Sequence, residues 1–136
     1  MPRARTIAEI LADARTRLTR LTPAAAHRAQ QDGAYLLDIR PQFQRAAQGD
    51  LPGAVIVDRN VLEWRLDPAS DARLDFVEDH DLRLVVLCAE GYSSSLAAVS
   101  LQDLGFADAT DVVGGFQAWA AAGLPRLHAA CTADQV

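Results

Sequence analysis

The sequence predicts an α/β domain around a mainly parallel sheet, and three observations carry that prediction. Short runs of branched apolar residues read as strands covered on both faces. Stretches with apolar residues at helical spacing lie between them, and strand alternating with helix is the pattern of a parallel sheet. The length of 136 residues, half of them hydrophobic, fits one compact soluble domain.

The first helix starts at a capping box, Thr6-Ile7-Ala8-Glu9. Ile7, Ile10, Leu11, Ala14, Leu18 and Leu21 follow at helical spacing, so an amphipathic helix is expected to run to about residue 21. Thr22 can cap a second, short helix, with Pro23 at its first position and Gly33 just past its end. Strands are expected at residues 35–39 (YLLDI), 54–57 (AVIV) and 84–87 (LVVL), with a weaker candidate at 110–113. Helical patterns cover residues 43–47, 61–66, 72–79, 94–104 and 116–122, and residues 126–136 read as a tail. No internal repeat or low-complexity tract is present.

Composition excludes several classes of function. Thirteen basic against eighteen acidic residues give a net charge of -5, which argues against binding nucleic acid through phosphate neutralisation. All the basic residues are arginine, which excludes pyridoxal Schiff bases and the lysine-containing phosphate loop. No segment is long and apolar enough to span a membrane. The run over residues 7–18 is broken by Glu9, Asp13, Arg15 and Arg17, so no secretory leader is expected and a cytoplasmic location is. Two cysteines, Cys88 and Cys131, do not make a disulfide framework. The basic run over residues 1–20 and the acidic run over residues 58–81 read as solvated helix faces rather than a partner-docking surface.

Cys88 ends the best strand. The chain then reads Ala89, Glu90, Gly91, Tyr92, Ser93, Ser94, with Gly91 free to relax the backbone and the serines leading into a helix. A loop of this kind can curl so that its N–H groups converge on one point, adding to the positive end of the helix dipole. An anion belongs there, and a thiolate at that point has a lowered pKa and acts as a nucleophile near neutral pH. The alternative for Cys88 taken alone is a small buried core residue.

Four motifs, in order and spacing, resemble those of rhodanese-like domains. They are Leu37-Asp38-Ile39-Arg40, Gly49 through Ala54 (GDLPGA), Cys88 through Ser94, and Gly114 through Trp119 (GGFQAW) followed by Ala122-Gly123-Leu124-Pro125. The match spans residues 22–125, leaving residues 1–21 as an N-terminal amphipathic helix packed on the domain and 126–136 as a C-terminal tail. The resemblance implies a five-stranded, mainly parallel sheet flanked by helices, with a six-residue loop after the cysteine. It also implies a sulfurtransferase: Cys88 takes a sulfane sulfur from a small-molecule or protein donor, carries it as a persulfide and passes it to a thiol or other nucleophilic acceptor. No metal or organic cofactor is needed, and no nucleic-acid or membrane partner is expected.

This loop departs from the family's frequent C-x-x-G-x-R-S pattern, because Ser93 stands at the arginine position and Glu90 adds a negative charge. A dianionic donor such as thiosulfate loses a cationic partner and approaches a carboxylate, each worth about 1 kcal/mol at a partly exposed mouth. A thiol-bound persulfide is therefore the expected donor. Arg40 and Arg59 follow strands at ends that a parallel sheet places on the Cys88 side, so either can line the mouth. Alternatively, Arg40 and Asp38 serve the scaffold through a local salt bridge.

Phe116 and Trp119, three apart on a helix, read as core. Trp64 is a candidate to cover the sheet or flank the mouth. His128 and Cys131 have a spacing a metal can use, but with only His27 and His80 elsewhere no closed site is expected. Cys131 is also a candidate resolving thiol, against the simpler reading of an incidental tail cysteine. A cysteine-loop phosphatase would need an arginine in the loop, and none lies between Arg83 and Arg126. The competing reading from another class is a rhodanese-like binding or sensor module in which Cys88 is incidental.

Overall fold

Strands form where the branched apolar runs lie: β1 (Tyr35–Asp38), β2 (Val55–Ile56), β3 (Leu84–Leu87) and β4 (Thr110–Asp111). The computed structural model describes residues 3–127, and in it these strands make one parallel sheet in the order β2-β1-β3-β4. The register places Leu37 between Val55 and Val86, and Val86 beside Asp111. All four strands therefore point their C-terminal ends the same way, which is the end where an open parallel sheet gathers its functional loops.

Alternation along β1 and β3 splits the core in two. Leu37 and Val86 face a cluster with Leu62, Leu66, Ala97, Leu101 and Phe106, whereas Leu36, Val85 and Leu87 face Ala26, Ala29, Phe116 and Trp119. The first cluster is covered by α4 (Leu62–Leu66) and α5 (Ser93–Leu104), the second by α2 (Pro23–Gln31) and α6 (Gly115–Ala121). A turn of 3-10 helix (Arg59–Val61) leads into α4, and α3 (Gln42–Gln48) follows β1. Trp119 is core as expected, its indole N–H donating to the Pro125 carbonyl at 2.8 Å.

The sheet has four strands among the described residues, not the five that the resemblance implies. The place beside β4 is held by a single parallel bridge, Leu21 to Val112. There the Leu21 N–H donates to the Asp111 carbonyl at 3.0 Å and Val113 N–H to the Leu21 carbonyl at 2.8 Å. Thr22 then caps α2, its hydroxyl oxygen accepting from the Ala25 N–H at 3.1 Å, so the chain turns into a helix before a strand can lengthen.

The same bridge shortens the first helix. The capping box forms as read, but α1 is Ile7–Thr16 and does not reach residue 21, because Leu18 packs on the core and Leu21 pairs with β4. The helix expected at residues 72–79 is also absent. Those residues make turns in which Leu74 N–H donates to the Arg65 carbonyl at 2.8 Å, Phe76 stacks on Tyr35, and Val77 is fully buried. Their apolar side chains reach the core from irregular backbone, and tertiary contacts override a helical pattern of only eight residues.

The end of β1 is fixed by a buried ion pair. Asp38 Oδ2 accepts from the Arg40 guanidinium at 2.7 Å, and the same guanidinium donates to Gln48 Oε1 at 3.0 Å and the Gly49 carbonyl at 2.9 Å. Both side chains are essentially without exposure, and the guanidinium lies 4.2 Å from the Phe116 ring centroid. Removing one partner strands a buried charge, so Arg40→Ala is expected to lower unfolding free energy by roughly 3–5 kcal/mol. Arg59→Ala, which loses an ion pair with the partly exposed Glu63, is expected to cost under about 1 kcal/mol; urea denaturation of the two variants measures the contrast.

Candidate active site

Cys88 is the first residue beyond β3 and is 6% exposed. It lines a cavity of about 250 Å³ together with Ile39, Arg40, Pro41 and Gln44 from the end of β1 onward and Ala89, Glu90, Tyr92 and Ser93 from its own loop. The Gly91 N–H donates to Sγ at 3.1 Å. Tyr92 is the N-cap of α5, and the N–H groups at the start of a helix have no carbonyl four residues back to meet.

The turn that aims the Gly91 amide depends on two glycines. Gly91 has φ +88°, and a Cβ there would come within 2.7 Å of the Gly114 nitrogen. Gly115 has φ +57°, and a Cβ on it would collide with the Cys88 carbonyl oxygen. This closeness lets α6 begin by donating Phe116 N–H to the Cys88 carbonyl at 2.8 Å and Gln117 N–H to the Ala89 carbonyl at 3.0 Å. The GGFQAW stretch is thus a clamp on the start of the loop.

Burial pushes the Cys88 thiol pKa up, but the Ser94 hydroxyl and amide, the Ser93 hydroxyl and the Gly91 amide together bring it below its ordinary value. The Ser94 hydroxyl has a single proton, and the Asp111 carboxylate already accepts it at 2.7 Å. The Gly91 and Ser94 amides and the Ser93 hydroxyl are the lowering groups free of that competition. A thiolate held by main-chain N–H groups in a small cavity is a nucleophile with an adjacent place for one more anionic atom.

The sequence-predicted residues separate into groups. Cys88, Ala89, Glu90, Tyr92, Ser93 and Arg40 share the cavity, and Gly91 sits beneath it with its amide on the sulfur. Ser94 turns inward to Asp111 and is fully buried. Asp38 acts on Arg40 rather than on the cavity, the scaffold alternative of the sequence reading. Arg59 does not line this cavity; it pairs with Glu63, which also accepts from Ser100. Trp64 is 60% exposed on α4 and lies outside the cavity lining. Phe116 and Trp119 are buried. Cys131 and His128 lie outside the described residues.

Three residues of the site went unread in the sequence. Asp111 is fully buried in β4, where its carboxylate accepts from Ser94 Oγ at 2.7 Å, Ser95 Oγ at 2.8 Å and Arg20 Nε at 2.9 Å. Arg20 also reaches the Gly91 carbonyl at 3.0 Å, and Arg15 of α1 donates to the same oxygen at 2.7 Å and to Ser95 Oγ at 3.1 Å. An acid inside a strand covered on both faces was the available signal, since a buried carboxylate demands partners. Nothing local marked Arg15 or Arg20.

The family model described as "Rhodanese-like domain" matches residues 22–122. The chain belongs to the rhodanese-like domain family. Among its relatives is the thiosulfate sulfurtransferase GlpE of Pseudomonas syringae pv. syringae (strain B728a), 33% identical over 106 residues that make up 76% of this chain and 89% of that protein. A solved structure from Rhodopseudomonas palustris CGA009, described as a protein of unknown function and possible tyrosine phosphatase, superposes with a TM-score of 0.82 at 33% identity. That match covers 93% of this chain and 98% of the other. The polysulfide-sulfur transferase homodimer of Wolinella succinogenes shares the fold, with a TM-score of 0.68 at 22% identity over 88% of this chain and 85% of that one. The lowered thiol of this rhodanese-like chain has a signed effect on stability. Folding favours the thiolate, so relative to Cys88→Ser the wild type gains stability as pH rises from the folded-state pKa toward the ordinary thiol value of about 8.5, and loses it as pH falls through the folded-state pKa. Paired urea titrations across that range check the sign.

Proposed function

We propose that Cys88 carries the sulfur in a sulfurtransferase reaction of this chain. The single observation behind the reading is the Gly91 amide on the Sγ of a cysteine that lines a cavity, supported by relatives named as sulfurtransferases. In the first half-reaction the thiolate attacks the sulfane sulfur of the donor. A Cys88–sulfur bond forms, the donor's bond to that sulfur breaks, and the donor's remainder leaves with the electron pair as a thiolate or sulfite. The terminal sulfur of the persulfide is again an anion, which the amides of the loop can hold without a side-chain cation. In the second half-reaction a nucleophilic acceptor attacks the terminal sulfur and Cys88 departs as the thiolate. Electrons balance over the cycle, and no cofactor enters it.

The phosphatase description of the Rhodopseudomonas structure raises a second reading, which needs a guanidinium facing a dianion. The arginine lining this cavity is Arg40, and it is buried and held by Asp38, Gln48 and Gly49. Incubation with an organic persulfide is expected to add one sulfur atom to the intact protein, discharged by cyanide and absent in Cys88→Ser. If no donor loads the wild type, Cys88 is incidental and the chain is a binding module instead.

The donor class follows from the same cavity. Glu90 and Ser93 line it where a loop cation would otherwise stand, so a thiol-bound persulfide is favoured over thiosulfate. A Glu90→Ala, Ser93→Arg double variant is expected to raise kcat/KM for thiosulfate by about tenfold. Equal values for wild type and variant would remove the electrostatic argument.

A further inference from the structure

Two arginines converge on one carbonyl oxygen at the turn of the Cys88 loop. Arg15 donates to the Gly91 carbonyl at 2.7 Å and Arg20 at 3.0 Å, and neither lines the Cys88 cavity. Both belong to the segment before residue 22, outside the stretch that the family model matches. The Rhodopseudomonas structure matches a larger share of the chain than residues 22–122 make up, and its match reaches into this segment.

Each arginine is itself anchored. Arg20 makes a two-point pair with Asp111, through Nε to Oδ1 at 2.9 Å and through its terminal nitrogen to Oδ2 at 3.1 Å. Arg15 donates to Ser95 Oγ at 3.1 Å, and its guanidinium carbon is 5.7 Å from the Tyr92 ring centroid. Ser95 and Ser94 in turn donate to Asp111 Oδ2. Residue 91, the start of α5 and β4 are thus tied into one charge-assisted network.

Gly91 needs such an anchor. It stands at φ +88°, and with no side chain it has wide freedom in ψ. Its own N–H must point at Cys88 Sγ, while its carbonyl belongs to the next peptide plane. Fixing that carbonyl fixes ψ of Gly91. Because a trans peptide directs C=O and N–H to opposite sides, it also turns the Tyr92 N–H away from the arginines. Two guanidinium charges on the carbonyl further polarise that peptide and strengthen its N–H as a donor.

We propose that Arg15 and Arg20 are positioning residues of the active site, a brace from the N-terminal segment that holds the loop amides in the shape that ionises Cys88. The brace supplies from behind, through the backbone, the positive charge that the loop lacks at Ser93. Its catalytic consequence rests on the sulfurtransferase reading; its effect on the thiol does not.

Arg15 is the residue to vary, because it is only partly buried, whereas removing Arg20 leaves the buried Asp111 carboxylate short of its cation. In the full chain, Arg15→Gln is expected to raise the midpoint of the pH dependence of Cys88 alkylation by about 0.5–1 unit. It should lower kcat of sulfur transfer about tenfold with donor KM within about twofold. Arg15→Lys should restore part of both. Arg20→Lys, which keeps the charge but not the two-point geometry, should shift the midpoint in the same direction. A merely structural role predicts a lower melting temperature with the alkylation midpoint unmoved, and that result in Arg15→Gln overturns the proposal. Should no donor load Cys88 in any variant, the sulfur-transfer reading fails alone, and the alkylation midpoints still decide the brace.

Discussion

The rest of the structure depends on holding one sulfur atom against main-chain N–H groups where water is mostly excluded. Burying an unpartnered thiolate would cost several kcal/mol, and a hydrogen bond to a charged group returns about 1.5–3. Two or three such donors are enough to reverse the sign, which is the direction found for Cys88. Supplying them requires a backbone turn open to glycine at position 91 and an approach of α6 so close that position 115 has no room for a side chain. The parallel sheet places β3 so that this turn follows directly from its buried end.

Arginines at the strand ends and before α4 are held in ion pairs within the fold. Arg40 closes the end of β1 on Asp38, Arg20 closes β4 on Asp111, and Arg59 ties the turn before α4 to Glu63. Each buried pair trades desolvation for local attraction and gains chiefly in fixing geometry. The lining of the cavity includes one exposed carboxylate, Glu90.

Much of this was legible in the chain. The apolar runs at β1 and β3, the capping box of α1, Thr22 and Pro23 at α2, and the cysteine at the end of a strand all act through nearest neighbours, and local patterns record local causes. What was not legible comes from contacts distant in sequence. Leu21 leaves the helical pattern because it meets Val112, and Leu74, Phe76 and Val77 bury themselves without a helix because Tyr35 and the Arg65 carbonyl receive them. Arg15 read as one more charge on a solvated helix face, and only the packing of α1 on α5 brings it to Gly91. Asp38 and Arg40 lay between: a D-x-R spacing allows a pair, and burial decides that the pair serves the scaffold.

The loop around Cys88 is pinned at both ends by different parts of the molecule, α6 at its beginning and the Asp111 network at its finish. Between these moorings the side chains of Glu90 and Tyr92 are exposed. Inherited change is thereby channelled: substitutions at those two sites can reshape the rim while the buried bonds that hold the loop stay intact, so a lineage carrying this framework can vary its outer face without first loosening its interior.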